Sequence, residues 1–426
     1  MIYGFISFFR NLLIKSLLAL GVWVIAWRVY YADINESLPL LYSLITFAVV
    51  HTTYFYIRYW RYILLPYSLN FHSIFSHNTL INVRNRRTLF LDFFRNLKHI
   101  QAKSVIEQAY TKGLKRFTLL YQNLTSIETD NYRKNKEKIV HYLGLIEQGY
   151  EVAIHPIKKK NVLLSFYMLP DFYTIDFHLF KRDKIFLGIY ENGFYYRDIE
   201  TLDHHLVIGE SGSGKSNFMQ LLNINFLHNQ NLIKKIYHID LKGGVELKRF
   251  EVLLNVEFVS NIQRLDTLLN EVIADMKQTQ KDMLQKGIRT NDTFTLIIFD
   301  EFGAISSYPD KKLRDSIFQK LALISMQGRS SKHLLFMFGQ KVDTTILPSN
   351  IVNNLQSRVL LKTSNDNNIN IIDLKDNIRE RITTTEVQDF IKGRAIYKDG
   401  LTSQKSLIQF PFISDTFIAT AIKYYS

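Results

Sequence analysis

Cysteine is missing from all 426 residues. Its absence excludes a disulfide framework, a thiolate metal site and a thiol nucleophile, and it fits a reducing compartment. Acidic residues are scarce beside basic ones, 39 Asp and Glu against 53 Lys and Arg. The resulting formal charge of +14 points to a polyanion partner, either nucleic acid or anionic lipid or both, although a solvated basic surface alone also produces such a balance. No small-residue cleavage site follows the N-terminal apolar region, so a cleavable signal peptide is not expected. The length leaves room for two or three domains.

What is present centres on residues 205–216, HLVIGESGSGKS. Leu206, Val207 and Ile208 read as a short buried strand. It runs into Gly209-Glu210-Ser211-Gly212-Ser213-Gly214-Lys215-Ser216, which fits G-x-x-x-x-G-K-[ST]. A nucleoside triphosphate requires these residue types. Glycines let backbone N–H groups close around phosphate oxygens. Lys215 brings positive charge to the β- and γ-phosphates, and the Ser216 hydroxyl takes a place on Mg²⁺. Apolar residues at 218, 221, 222 and 226 predict a helix whose N-terminus faces those phosphates.

Before this motif, residues 38–57 contain no Asp, Glu, Lys or Arg, a length that spans a bilayer core as a helix. Leu12–Tyr31 is a second candidate span, with Lys15 and Arg28 near its ends. Residues 1–65 therefore read as a two-helix transmembrane hairpin. Arg10 and Lys15 flank the first span on its N-terminal side and Arg58, Arg61, Arg84, Arg86 and Arg87 follow the second, while Asp33 and Glu36 sit in the connector. The positive-inside tendency puts both termini and the nucleotide site in the cytoplasm of a multi-pass cell-membrane protein. Residues 66–150 read as a basic, mainly helical region, with an amphipathic helix over Asn131–Gly149. From residue 151 to 426 the text reads as an ATPase motor, opening on four strand-like runs: EVAIHPI, VLLSFYML, TIDFHLF and KIFLGIY.

Beyond the phosphate loop, strands are expected at Lys235–Asp240, Val256–Val259, Thr295–Phe299, Leu334–Phe338 and Val359–Leu361. A long helix is expected from Arg264 to Lys286, and a closing hairpin over Gly393–Leu401. The wholly apolar TLIIF run predicts a strand buried on both faces, delivering Asp300 and Glu301 to the sheet edge. Asp300 would hold the Mg²⁺ shell and Glu301 would act as general base on water. Gln340, at a strand end, is placed to sense the γ-phosphate. Arg329 and Arg358 are candidates for a finger reaching a neighbouring subunit's nucleotide. Strand–helix alternation implies an α/β fold with a mostly parallel sheet.

With these residues in place, residues 186–410 resemble the FtsK/SpoIIIE family of DNA-pumping ATPases. The resemblance rests on HLVIGESGSGKS, YHIDLKGGVELKRFE, TLIIFDEFGAI and GRSSKHLLFMFGQKVDTTILPSNIVNNLQSRVLLKTS. Gln340 and Arg358 match the family's sensor glutamine and the arginine before the next strand, whereas the usual Gln-Arg-Pro is Gln340-Lys341-Val342 here. The resemblance implies a RecA-like P-loop motor assembled as a hexameric ring that threads DNA, using ATP and Mg²⁺. Lys242, Lys248 and Arg249 are candidate DNA contacts. A two-span anchor, a compact motor and no winged-helix-like segment after residue 410 are similar to coupling proteins of Gram-positive conjugative elements. Such a role implies a relaxase and transfer-channel proteins as partners. Alternatives within reach of the same residues are a membrane-bound protein-export ATPase and a chromosome or plasmid segregation pump.

Overall fold

The computed structural model describes residues 115–122, 129–142, 145–157, 161–244, 246–372 and 383–426. The expected transmembrane hairpin at residues 1–65 and the Arg84–Arg87 cluster lie outside the described residues. Among the described residues no helix is long and apolar enough to cross a membrane.

The chain opens with β1 (Lys115–Gln122), then the short helices α1 (Thr129–Lys134) and α2 (Lys136–Tyr142). Strands β2 (Glu151–Ile157) and β3 (Asn161–Met168) follow. These three strands make an antiparallel sheet in the order β1-β3-β2. Two expectations are corrected here. The region before residue 151 contributes a strand, so this sheet straddles the expected boundary. The helix expected over Asn131–Gly149 breaks after Lys134, stops at Tyr142 and gives way to a turn with Gly149 at φ +74°.

The second sheet carries the rest. Its strands are β4 (Lys184–Tyr190), β5 (Gly193–Asp198), β6 (His205–Ile208), β7 (Ile233–Ile239), β8 (Val256–Val259), β9 (Phe294–Phe299), β10 (His333–Gly339), β11 (Ser357–Leu360), β12 (Arg394–Lys398) and β13 (Lys405–Gln409). They lie in the order β5-β4-β13-β12-β11-β6-β10-β9-β7-β8. From β11 to β8 every pairing is parallel; from β11 to β5 every pairing is antiparallel. The central strands β6, β9 and β10 are buried along their whole length, as their unbroken apolar runs require.

Helix α3 (Lys215–His228) packs beneath this sheet with ten consecutive residues, Phe218 to Leu227, buried. Helix α4 (Ile262–Lys286) is half-buried instead. Leu265, Leu268, Leu269, Val272 and Met276 face the core at helical spacing. Its ends are set locally. The Asn261 side chain accepts from the backbone N–H groups of Gln263 and Arg264, and Gly287 closes it in the left-handed region at φ +67°. Helices α5 (Lys311–Gln327) and α6 (Asp415–Tyr425) complete the layers.

TIDFHLF is not a strand. It holds one bridge, Thr174 to Phe412, and a single 3₁₀ turn at Phe177–Leu179 capped by Asp176. Its two phenylalanines are used against α6: Phe177 stacks on Phe417 at 4.6 Å between ring centroids, and Phe180 lies 6.4 Å from the same ring.

Candidate nucleotide site

The order of strands builds the site. In parallel α/β sheets the working residues gather at the strand C-termini. Here the loops after β6, β10, β9 and β7 lie side by side, and they carry the phosphate loop, Gln340, Asp300-Glu301 and Asp240 respectively. Strand β10 runs between β6 and β9, so Gln340 emerges between the phosphate loop and the two carboxylates. A cleft of about 470 Å³ collects Gly214, Lys215, Ser216, Asp300, Glu301 and Gln340.

The phosphate loop is held from outside. Glu210 Oε1 accepts from the Ser364 backbone N–H at 2.6 Å and from its hydroxyl at 2.7 Å, which holds this carboxyl below its ordinary pKa. The Gly393 N–H donates to the Ser213 carbonyl at 2.9 Å. Gly214 has φ +110°, and a Cβ there would lie 2.9 Å from the Gly393 nitrogen, so only glycine passes. Lys215 Nζ donates to the loop's own carbonyls at Gly209 (2.6 Å) and Glu210 (2.9 Å). Phosphate oxygens compete for the same protons. Burial lowers the Lys215 pKa, against the pull of Glu301 and Asp300.

The carboxylates form a group larger than the sequence reading named. Burial, with Asp240, Glu246 and Glu301 nearby, pushes Asp300 up to about 6. Asp240 is 1 % exposed, and its Oδ1 accepts from the Lys242 N–H. Crowded carboxylates of this kind suit a divalent cation, which offsets their mutual repulsion. Unmet hydrogen-bonding capacity supports the same fit. Ser213 Oγ, Gln220 Oε1, Asp240 Oδ2 and Glu246 Oε2 are buried without a partner in the protein. A hydrated magnesium–phosphate group supplies such partners.

Gln340 is fixed through its main chain. The Asn368 side chain accepts from Val342 N–H at 3.1 Å and donates to the Gln340 carbonyl at 2.9 Å, leaving the glutamine side chain exposed to the cleft. Next to it, a Cβ at Gly339 would lie 2.3 Å from the Phe302 ring, so the glycine lets the segment after Glu301 pack under the strand end.

The two arginines are elsewhere. Arg329 precedes β10, at the opposite end of that strand from Gln340, where it is exposed and donates to Gln356 Oε1 at 3.0 Å. Arg358 lies in β11 with its guanidinium on the carbonyls of Leu355 (3.0 Å), Ile371 (2.5 Å) and Val352 (3.3 Å). Neither enters the cleft of its own chain. The candidate DNA contacts are corrected in part. Lys242 lies 3.6 Å from Glu301, and Arg249 pairs with Asp415 at 2.7 Å; both line the nucleotide cleft, whereas Lys248 is exposed outside it. Sequence reasoning passed over Glu246 and Gln220. The GGVEL run after the Asp240 loop was the available signal for the first.

Residues 184–374 match the model of the FtsK/SpoIIIE family. No curated protein sequence matches the chain. Among solved structures, the chain is similar to the pCW3 conjugation coupling protein TcpA, solved as a monomer with ATPγS, at TM-score 0.53 and 16 % identity over 74 % of this chain and 90 % of that one. It is also similar to ATPases 2 and 3 of EssC from Geobacillus thermodenitrificans, at TM-score 0.50 and 16 % identity over 60 % of this chain and 50 % of that one. At such identities the likeness is one of fold. Residues 184–374, the part of the chain that matches the FtsK/SpoIIIE model, carry a complete phosphate loop and the adjoining Asp300-Glu301 pair of a P-loop ATPase.

Proposed function

We propose that this ATPase is a membrane-anchored DNA translocase serving as the coupling protein of a conjugative element. The observation that carries the reading is the extent of the likeness to TcpA, which covers 90 % of that chain and reaches beyond the family domain in this one. The charge of +14 and the candidate spans at Leu12–Tyr31 and residues 38–57 fit a motor that handles a polyanion at a membrane. Binding to DNA would run mainly through phosphates and fade with salt.

In the proposed cycle the Gly209–Ser216 loop and Lys215 hold the triphosphate. Ser216 and Asp300 would hold Mg²⁺, which would supply charge to offset that of the triphosphate. Glu301 takes a proton from the attacking water, and Gln340 reads the γ-phosphate from between the two. Arg329 is the better candidate to act on a neighbouring protomer in a homo-oligomeric ring, since the Arg358 guanidinium is engaged by main-chain carbonyls. A relaxase and transfer-channel proteins are the partners such a motor would serve.

A protein-export motor is the second reading, since the same phosphate loop and carboxylate pair serve a polypeptide cargo equally well. ATP hydrolysis by the full chain, with and without DNA, at low and high salt, separates the two. Stimulation by DNA that weakens with salt supports the translocase; hydrolysis indifferent to DNA favours export.

A further inference from the structure

A phosphate loop fixes where the triphosphate sits, and the nucleoside must leave it through whatever space the cleft continues into. Here the cleft runs from Ser216 past Asn217 to the segment 411–413 and the first turns of α6, where its wall turns apolar with Phe412, Ile413 and Ile418. That wall is tied to the phosphate loop. The Asn217 side chain donates to the Pro411 carbonyl and accepts from the Ile413 N–H at 2.9 Å. On the other side, the Phe412 N–H donates to the Tyr173 carbonyl at 2.8 Å. The backbone around Phe412 is therefore clamped from two directions, one clamp being Asn217, two residues along its helix from Lys215.

Its ring is not covered. Phe412 is 40 % exposed and lies 5.4 Å, centroid to centroid, from the ring of Phe172, which is 65 % exposed. Two adjacent phenylalanine rings left in water forgo the stabilisation that burying apolar surface provides. A rigid backbone carrying an open aromatic face, at the end of a triphosphate cleft, matches what a flat heterocycle needs for stacking. Lys392 and Asp415 supply charged groups along the same cleft.

We propose that Phe412, supported by Phe172 and positioned by Asn217, is the stacking platform for the purine base of the bound nucleoside triphosphate. The inference rests on the nucleotide-binding reading of the cleft and adds its base subsite. Stacking acts on the base alone, so it separates a nucleotide from its phosphates.

Binding of Mg²⁺–ATPγS and of Mg²⁺–tripolyphosphate to the full-length protein, measured by calorimetry for the wild type, Phe412→Ala and Phe412→Trp, tests this. Phe412→Ala should weaken ATPγS binding about 5- to 150-fold, the range a base–aromatic stack supplies, and leave tripolyphosphate within about twofold. Phe412→Trp should bind ATPγS at least as tightly as the wild type. Equal losses for both ligands in Phe412→Ala, or ATPγS affinity unchanged by it, overturns the platform. Wild-type protein that binds ATPγS no better than tripolyphosphate overturns the base subsite alone. Wild-type protein that binds neither removes the nucleotide reading beneath it.

Discussion

The ammonium group of Lys242 lies 3.6 Å from Glu301 Oε2. Lys242 follows β7 and Glu301 follows β9, neighbouring parallel strands, so the pair links two loops at the working edge of the sheet. Lys242 is more than half exposed, and ion pairs of that kind contribute at most about 1 kcal/mol to stability. Its consequence is orientation of the carboxylate. Lys242→Ala should leave the thermal midpoint nearly unchanged and lower kcat about tenfold or more, with ATP affinity retained. Turnover and melting curves on one preparation check this, and an unchanged kcat removes the role.

The two arginines should separate by what they damage. Arg358 satisfies three main-chain carbonyls, and its loss leaves part-buried acceptors unmet. Arg358→Ala should cost about 1–3 kcal/mol of stability. Arg329 makes one side-chain hydrogen bond on the surface, so Arg329→Ala should stay within about 0.5 kcal/mol. If Arg329 reaches a neighbour's nucleotide, the same substitution should lower turnover of the assembled protein by roughly 10³-fold, as loss of such a finger does elsewhere. Denaturant melts beside ATPase assays distinguish the two.

Much of the site was legible because its signals are local. The phosphate loop is contiguous, and the TLIIF run announces both a buried strand and the carboxylates at its end. Strand order was not legible, since pairing β10 between β6 and β9 is a long-range event that no window of sequence contains. TIDFHLF misleads for a related reason. Its branched and aromatic residues suit a strand, yet Phe177 and Phe180 are used against α6 from outside any strand. β1 was hidden in a basic stretch whose partner strand lies some forty residues on. Lys242 looked like a DNA contact because charge alone says nothing about which carboxylate faces it.

Acid should unfold the protein through its buried imidazoles. Burial lowers His204 and His205 to about 4 and His238 to about 3. In the unfolded chain each titrates near 6.5. Between those values the unfolded state binds more protons, so stability is fully present above about pH 6.5 and is lost as pH falls toward 4. Each histidine contributes up to about 1.4 kcal/mol per pH unit in that window. Chemical denaturation at pH 7.5, 6 and 5 should show a steep fall, and His238→Gln, if folded, should make it shallower by about that amount. A flat profile down to pH 5 contradicts the neutral buried histidines.

The proposed translocase couples ATP hydrolysis to movement of DNA. The most direct measurement is displacement of a triplex-forming strand from duplex DNA by the full-length protein in membrane nanodiscs, comparing the wild type with Glu301→Gln. The wild type should displace the strand only with ATP, and Glu301→Gln should hold ATP and DNA yet displace nothing. Wild-type protein that hydrolyses ATP at full rate but leaves the triplex in place, under conditions where it binds the duplex, would contradict the translocase.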